Sequence, residues 1–384
     1  MSQAAPYTPA GPDQPAARPG RIRLFLAPLA VVAVLLAIPG GAYVFSRNRL
    51  TQAQTAEAHG DYSQALSEFA TADGVAGNPA LRILLGKLDD QAQSGTAEAH
   101  ILWGVALKQQ GKFAESELHL RAAIRSGLAG WASRGNAALA DLFNAWAQSL
   151  VADNQFQAAI DKYRLVATVD PSGRLTASTN AGLAAAYSGF AQWYAAQQPA
   201  DYPNALVWYE NLVNDFPDSP EAKLAQASSL PPTLYNAALA FVQQLRYQQA
   251  RDAMTELIQK YASTTWATQA NAAMHAKQPL TGVLIVSDQN PTPVANRLVR
   301  IATHWRIVKA HTYDDSGGPI YSTTTDAKGN FSVPGGMPPG QNYLITWWDP
   351  ARMTFVTTFL SDTVPVNTIT VNPLEPAHTT VATS

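Results

Sequence analysis

Two patterns of apolar and polar residues divide most of the chain. Between residues 48 and 276, apolar side chains recur every three or four positions, which is the period of an amphipathic α-helix. From residue 277 they alternate with polar side chains in short runs, as at Val299, Ile301 and Thr303, which is the period of a β-strand. The pattern therefore predicts an all-α region followed by an all-β domain.

The helical pattern is interrupted at short intervals and resumes at once. In QQGKFAESELHLRAAI, Gly111 and Lys112 separate two apolar stripes. Glycine and asparagine tolerate the positive φ angle of a tight turn, and Gly60 and Asn154 stand at the same place in two other segments. We therefore expect the chain to turn back on itself as helical hairpins.

Five segments share one frame, in which an aromatic residue is followed by a small residue at +3 and a large apolar residue at +7. The aromatic residues stand at 62, 113, 156, 202 and 247, which are 51, 43, 46 and 45 residues apart. The small residue would let two helices approach closely, and the other two would fill the space between hairpins. The predicted repeat-packing residues are Tyr62, Ala65, Phe69, Phe113, Ser116, Leu120, Phe156, Ala159, Tyr163, Tyr202, Ala205, Tyr209, Tyr247, Ala250 and Met254.

This frame resembles the tetratricopeptide repeat (TPR). Trp103 and Phe113 occupy positions of the family's pattern, and Pro171 and Pro217 stand where its closing proline is found. The family's period is about 34 residues, so the longer spacing here requires insertions such as residues 78–92.

The resemblance implies an α-solenoid whose concave face, lined by first helices, holds a protein or peptide partner. It places five candidate partner-binding residues on that face: Ile101, Lys108, Asn144, Gln148 and Tyr235. The family's clamp for a C-terminal carboxylate needs several basic and amide side chains, and only Lys108 and Asn144 qualify. A binder of chaperone tails is therefore not expected.

The β-rich part contains about seven short runs separated by Gly, Pro, Asn and Asp, a density typical of a β-sandwich. The turn Asp326–Gly329 and the sequence Pro338-Pro339-Gly340 leading to Tyr343 resemble the carboxypeptidase regulatory-like domain. The resemblance implies a transthyretin-like sandwich with a structural or adhesive role, usually extracytoplasmic and not catalytic in itself.

Tryptophans in this domain leave two interpretations open. Trp305, Trp347 and Trp348 could stack on sugars, or they could pack in the core or against the solenoid. Because side chains alternate along a strand, Trp347 and Trp348 must point to opposite faces. Carbohydrate is therefore a possible ligand beside a protein partner.

The N-terminal part contains an uncharged run of 22 residues, Leu24–Phe45, flanked by arginines. That length spans a bilayer as a helix, so a transmembrane helix is predicted over residues 21–47, after a disordered tail over residues 1–20. The two alternatives are a signal peptide cleaved near residues 40–42 and a buried core helix. An anchor with its N-terminus inside would place the bulk of the chain outside the cytoplasm.

Composition narrows the possible functions. A formal net charge of −2 gives no basic field for nucleic acid, and the absence of cysteine excludes disulfides and thiolate chemistry. No phosphate-binding, nucleophile-elbow, zinc-protease or dinucleotide motif is present, and the seven histidines are scattered. We therefore predict no catalytic residue, no metal and no cofactor.

Together these observations predict a multidomain, membrane-anchored, non-catalytic scaffold of the cell envelope that binds proteins. The alternative is attachment to carbohydrate or cell wall through the β-sandwich. The expected segments are a disordered tail (1–20), a single transmembrane helix (21–47), an all-α TPR-like helical-hairpin solenoid (48–276), an all-β carboxypeptidase regulatory-like sandwich (277–375) and a disordered tail (376–384).

Overall fold

The computed structural model describes residues 23–286 and 290–383. The predicted disordered tail over residues 1–20 lies outside this range. The described chain is helical as far as His275 and β-rich from Leu280. The prediction of a helical region followed by a β-rich region is thus confirmed.

Twelve helices occupy the described N-terminal part, and a π-helical turn at Ala225–Ser229 joins the ninth to the tenth. The helices are α1 (Arg23–Ala58), α2 (Tyr62–Ala76), α3 (Arg82–Gln109), α4 (Phe113–Arg125), α5 (Ala129–Ala152), α6 (Phe156–Val169), α7 (Thr176–Ala195), α8 (Tyr202–Asp215), α9 (Pro220–Leu224), α10 (Leu230–Gln243), α11 (Tyr247–Lys260) and α12 (Thr265–His275).

Each of the five aromatic residues of the frame begins a helix, and four of those helices follow a turn of one kind. In these turns one residue has positive φ: 79° at Gly60, 74° at Gly111, 58° at Asn154 and 59° at Leu245. The next N–H then donates to a carbonyl five residues earlier, at 2.8 Å to 2.9 Å. This is the Schellman arrangement that ends a helix and satisfies its last carbonyls.

The described chain divides into two compact units. The first comprises the residues up to Trp146 together with Arg164–Thr176, and the second comprises Ala147–Tyr163 together with the residues from Ala177 onwards. The first unit has two apolar cores, one around Phe69 and one around Phe143. The second has one core among its helices and another between its β-sheets.

The β domain has thirteen described strands. They are β1 (Leu280–Val286), β2 (Thr292–Pro293), β3 (Leu298–Ala302), β4 (Arg306–Lys309), β5 (Thr312–Asp314), β6 (Ile320–Thr324), β7 (Asn330–Ser332), β8 (Gln341–Asp349), β9 (Thr354–Val356), β10 (Phe359–Ser361), β11 (Val364–Pro365), β12 (Thr368–Val371) and β13 (Ala377–Ala382).

Two main sheets enclose the core of this domain. One has the order β13-β1-β2 with β7 also paired to β1, and the other has the order β12-β8-β3-β6 with β9 paired to β8. Leu284 and Phe331 of the first sheet belong to the same apolar cluster as Ile301, Ile345 and Trp347 of the second. The domain is therefore a β-sandwich.

The two motifs singled out in the sequence each close a loop. Asp326 Oδ1 accepts hydrogen bonds from the N–H groups of Lys328 and Asn330, both at 2.8 Å, and so shapes the turn before β7. Tyr343 donates its hydroxyl to the Pro338 carbonyl at 2.6 Å. Burial raises the pKa of Tyr343 to about 12, so this donor stays protonated.

The C-terminal residues differ from the prediction. Instead of a disordered tail from residue 376, the chain forms β13, which pairs in parallel with β1 from Leu280 opposite Ala377 to Ile285 opposite Ala382. Val381 is fully buried in the sandwich core. The strand is held by pairing with a segment almost a hundred residues earlier, which local composition does not reveal.

The predicted transmembrane helix over residues 21–47 is wrong. No helix in the described part of the chain combines the length and the apolarity needed to cross a membrane. The first half of helix α1 contains most of the apolar run, which Pro39 and two glycines make less apolar. The second half of the same helix is polar. In that half Leu50, Ala53 and Ala56 are buried against α2 and α3. The predicted single-pass membrane location is therefore wrong, and the extracytoplasmic placement that was derived from it is withdrawn with it.

Candidate functional site

The residues of the repeated frame lie mostly in the helical cores. The five residues at +3 (Ala65, Ser116, Ala159, Ala205 and Ala250) are fully buried. The five at +7 (Phe69, Leu120, Tyr163, Tyr209 and Met254) are also buried. Among the leading aromatics, Phe156 is buried, and the half-buried ones are Tyr62, Phe113, Tyr202 and Tyr247.

Glycines of neighbouring helices receive these side chains, which the sequence analysis did not anticipate. A Cβ atom on Gly95 would overlap the ring of Phe69, and one on Gly104 would lie 2.7 Å from Leu120. Ser116 also donates its hydroxyl to the Gly104 carbonyl at 2.6 Å. The signal was present as glycines inside helical stretches, where their cost to the helix calls for a packing reason.

Three of the five candidate partner-binding residues belong to the first unit. Ile101 and Lys108 on α3 and Asn144 on α5 are each half-buried. Ile101 packs partly against the core around Phe143, so it contributes to stability as well as to surface. Lys108, by contrast, stands next to the buried Leu107 and keeps part of its side chain exposed.

The other two candidates belong to the second unit and differ from each other. Gln148 is exposed on α5. The ring of Tyr235 lies 5.5 Å from that of Trp266, between centroids, at the edge of the helical core. Tyr235 therefore contributes to the packing of α10 against α12.

A column of rings occupies the hairpin of α3 and α4. Nδ1 of His100 lies 3.1 Å from Nδ1 of His119, and the His119 ring stacks on Trp103 with 3.9 Å between centroids. Burial lowers the pKa of both histidines, and the neighbouring His119 and Arg125 lower that of His100 further. When both rings are neutral, the ring with its proton on Nδ1 can donate a hydrogen bond to the unprotonated Nδ1 of the other ring.

An acidic groove runs between α8 and α11. Glu210 and Glu256 line a cleft of about 440 Å³ together with Gln226 from the π-helical turn. Burial, and then the charge of Glu256, raise the pKa of Glu210. Lys260 pairs with Glu256 at 3.0 Å and partly neutralises the groove.

The β domain has a cleft beside Trp348, which we call the tryptophan cleft. Its volume is about 420 Å³, and its polar lining includes Arg297, Asp349, Arg352 and Thr357. Both Trp347 and Trp348 line the cleft. Trp347 is only 5% exposed and belongs to the sandwich core, whereas Trp348 is half-buried and its ring meets that of Phe355. Strand alternation thus separates the two tryptophans as expected. The third, Trp305, donates its Nε1–H to the Asn342 carbonyl at 3.1 Å.

Nowhere in residues 23–286 or 290–383 do three or more His, Asp or Glu side chains form a group able to hold a metal ion.

Comparison with known proteins gives little further guidance. No family model matches the chain, and no curated protein matches it. It is similar to the solved structure of YrrB, a TPR protein with an unusual peptide-binding site, at 13% identity over 58% of this chain and 90% of that one, with a TM-score of 0.18.

Two further solved structures are similar at the same level. The TPR domain of P58(IPK) is 15% identical over 59% of this chain and 76% of that one, with a TM-score of 0.15. An (S)-allantoin synthase is 14% identical over 62% of this chain and 93% of that one, with a TM-score of 0.19. Scores of this size carry no argument about fold or function. The hairpins described above rest on this structure's own contacts.

Proposed function

We propose that the chain is a non-catalytic scaffold whose helical hairpins bind a protein or peptide partner. The cell-envelope location expected from the sequence depended on a membrane segment and is not part of this proposal. The proposed partner surface is the exposed side of the first helices, and its testable centre is the pair Lys108 and Asn144, on α3 and α5 of the first unit.

One observation carries this proposal. On α3, positions 101, 105 and 108 form a half-exposed stripe at i, i+4 and i+7, beside a buried stripe that includes Gly104 and Leu107. On α5, Asp141 and Asn144 are likewise half-exposed. The first helices thus use one side for packing and leave another side accessible, as a peptide-binding helix array requires.

The test replaces Lys108 and Asn144 together by glutamate in the full chain. Affinity purification with mass spectrometry should show partners that are retained by the unchanged protein and lost by the double variant. Gln110→Glu with Lys112→Glu is the matched control, because both residues are exposed and the charge change is the same. If the variant and the control retain the same set of partners, the binding surface lies elsewhere.

A second candidate function, binding of carbohydrate by the β domain, is favoured by the half-buried Trp348, whose ring meets that of Phe355 beside the Arg300 guanidinium. An aromatic ring beside guanidinium and hydroxyl groups is the combination that holds sugars, since the ring covers the C–H face while the polar groups bond the hydroxyls. A glycan array probed with the full chain and with Trp348→Ala tests it. Trp193→Ala, which removes a tryptophan that is 43% exposed on α7, is the control. Equal glycan binding by both variants would exclude Trp348 as the sugar-binding surface.

A further inference from the structure

A small pocket of the first unit opens between α1 and α3. Its volume is about 280 Å³, and Phe69 and Gly95 are among its lining residues. Ser94 and Glu98 of α3 also line it, seven and three residues before Ile101, so they lie on the side of the helix that carries the half-exposed stripe. The pocket therefore continues the proposed partner surface towards the N-terminus of α3.

Three carboxylates line this pocket, which we call the carboxylate pocket. They belong to Glu57 of α1 and to Asp90 and Glu98 of α3. No lysine or arginine is among the lining residues, and no basic side chain of the described residues forms an ion pair with any of the three. The pocket is therefore negative and attracts a cationic group.

Other carboxylates of the first unit have basic partners. Glu68 pairs with Arg49 at 2.9 Å, and Asp141 pairs with Arg174 at 2.8 Å. No such partner reaches the carboxylate pocket from the described residues. A cation that belongs to another molecule can therefore supply the positive charge there.

Glu57 is the carboxylate that gains most from a bound cation. Its Oε1 is shielded from solvent and makes no hydrogen bond within the described structure, whereas its Oε2 is not shielded, so a ligand in the pocket can reach it. Burial raises the pKa of Glu57, and the charge of Glu98 raises it further. A cation placed between Glu57 and Glu98 would reduce this repulsion and add attraction to both.

A guanidinium suits the carboxylate pocket better than a metal ion or a free small molecule. In residues 23–286 and 290–383 no group of three or more acidic or histidine side chains converges well enough to hold a metal. A volume of about 280 Å³ lies below the usual range of small-molecule sites and fits one long side chain. The five N–H donors of a guanidinium can serve several acceptors at once, here two carboxylates and the side-chain oxygens of Gln91 and Ser94.

We propose that the carboxylate pocket binds an arginine side chain from a peptide segment of the partner, with the guanidinium between the carboxylates of Glu57 and Glu98. Asp90, which is exposed, adds attraction from the rim. This inference rests on the partner-binding function proposed above and specifies the chemistry of the partner at the α1–α3 end of the surface.

A library of capped nonapeptides tests the proposal on the full chain. Each peptide is acetylated and amidated, its central residue is arginine, lysine or citrulline, and the other positions are mixtures of uncharged residues. Citrulline is the matched probe, because it keeps the shape of arginine and removes the charge. Immobilised protein is incubated with equal amounts of the three sets, and mass spectrometry counts the retained peptides.

We expect arginine-centred peptides to be retained at least about tenfold more than citrulline-centred ones, as for a hydrogen bond to a charged group, with lysine between them. Equal retention of the arginine and citrulline sets would overturn the inference while leaving peptide binding intact. Lysine retained as well as arginine would show that the pocket recognises charge alone, and would overturn the arginine assignment. Retention of no set would overturn the inference, and the purification with the Lys108 and Asn144 variant then decides the broader function.

Variants of the full chain assign the contacts. Glu57→Gln with Glu98→Gln should lower the arginine-to-citrulline ratio about tenfold. Glu115→Gln with Asp153→Asn is the matched control, because both residues are exposed, neither lines the pocket, and the same number of charges is removed. Glu98→Gln alone, at an exposed position, should lower the ratio about twofold to fivefold and keeps the test valid if the double variant fails to fold. An unchanged ratio in both pocket variants would overturn the assignment.

Discussion

Leu245 offers a sharp test of how the hairpins close. It has φ of 59° in the turn between α10 and α11, where Gly60, Gly111 and Asn154 stand in three other turns. A left-handed conformation costs an L-residue about 1–2 kcal/mol, and glycine avoids this cost. Leu245 is 71% exposed, so little packing opposes its replacement.

The magnitude is best obtained by comparing glycine with alanine at the same position, because both remove the leucine side chain. Relief of about 1–2 kcal/mol, less the roughly 0.5–1 kcal/mol that glycine loses in chain entropy, leaves Leu245→Gly more stable than Leu245→Ala by about 0.5–1 kcal/mol. At the preceding Gln244, with φ of −87°, no relief is available. There Gln244→Gly should be less stable than Gln244→Ala by about 0.5–1 kcal/mol.

Urea unfolding of the four variants, followed by circular dichroism and tryptophan fluorescence, measures both differences in the same transition. The expected result is a glycine-minus-alanine difference of opposite sign at the two neighbouring positions. The same sign at both would refute the assignment of Leu245 to the left-handed position that ends α10.

Two further predictions concern the helical part. Gly95→Ala places a methyl group against the Phe69 ring and should lower the free energy of unfolding by about 1–3 kcal/mol, measured by urea denaturation, whereas Gly86→Ala on the same helix meets nothing within 4 Å and should raise it by about 0.5–1 kcal/mol. Because burial lowers the pKa of His100 and His119 below the unfolded value near 6.5, the unfolded chain takes up protons first. Stability should therefore fall as pH drops from about 7.5 to 5, and replacing both histidines by glutamine should flatten this dependence; an equal slope in the variant would contradict the explanation.

Much of the helical part could be predicted because its signals are local. The turns at Gly60, Gly111 and Asn154 follow from residues that accept positive φ, and the structure has those angles. The turn at Leu245 was missed because leucine, unlike glycine or asparagine, does not favour positive φ, so its presence does not predict a left-handed turn. The contact of Gly95 was missed for a different reason. A glycine inside a helix indicates a close contact, but only the tertiary structure shows that the contacting residue is Phe69.

In the β domain, the missing information was strand register. Alternation required Trp347 and Trp348 to face opposite sides, but it did not decide which one enters the core. Pairing of Val299 with Trp347 between β3 and β8 places Trp347 in the sandwich core, where it also lines the cleft, and turns the Trp348 ring to the other face, against Phe355. The cleft itself joins Arg297 to Trp347 and Thr357, which lie 50 and 60 residues later in the sequence, so no spacing rule could have found it.

The link between β12 and β13 explains why binding should be measured on the full chain. Arg251 of α11 donates to a Glu375 carboxylate oxygen at 2.9 Å and to the Pro373 carbonyl at 3.3 Å. Leu374, between those two residues, packs against the helical core of the second unit. A fragment beginning at residue 278 would lose the Arg251 partner and uncover Leu374, just before the strand that completes the first sheet. Failure of such a fragment to bind sugar would then report the loss of this support and not the chemistry of the surface around Trp348.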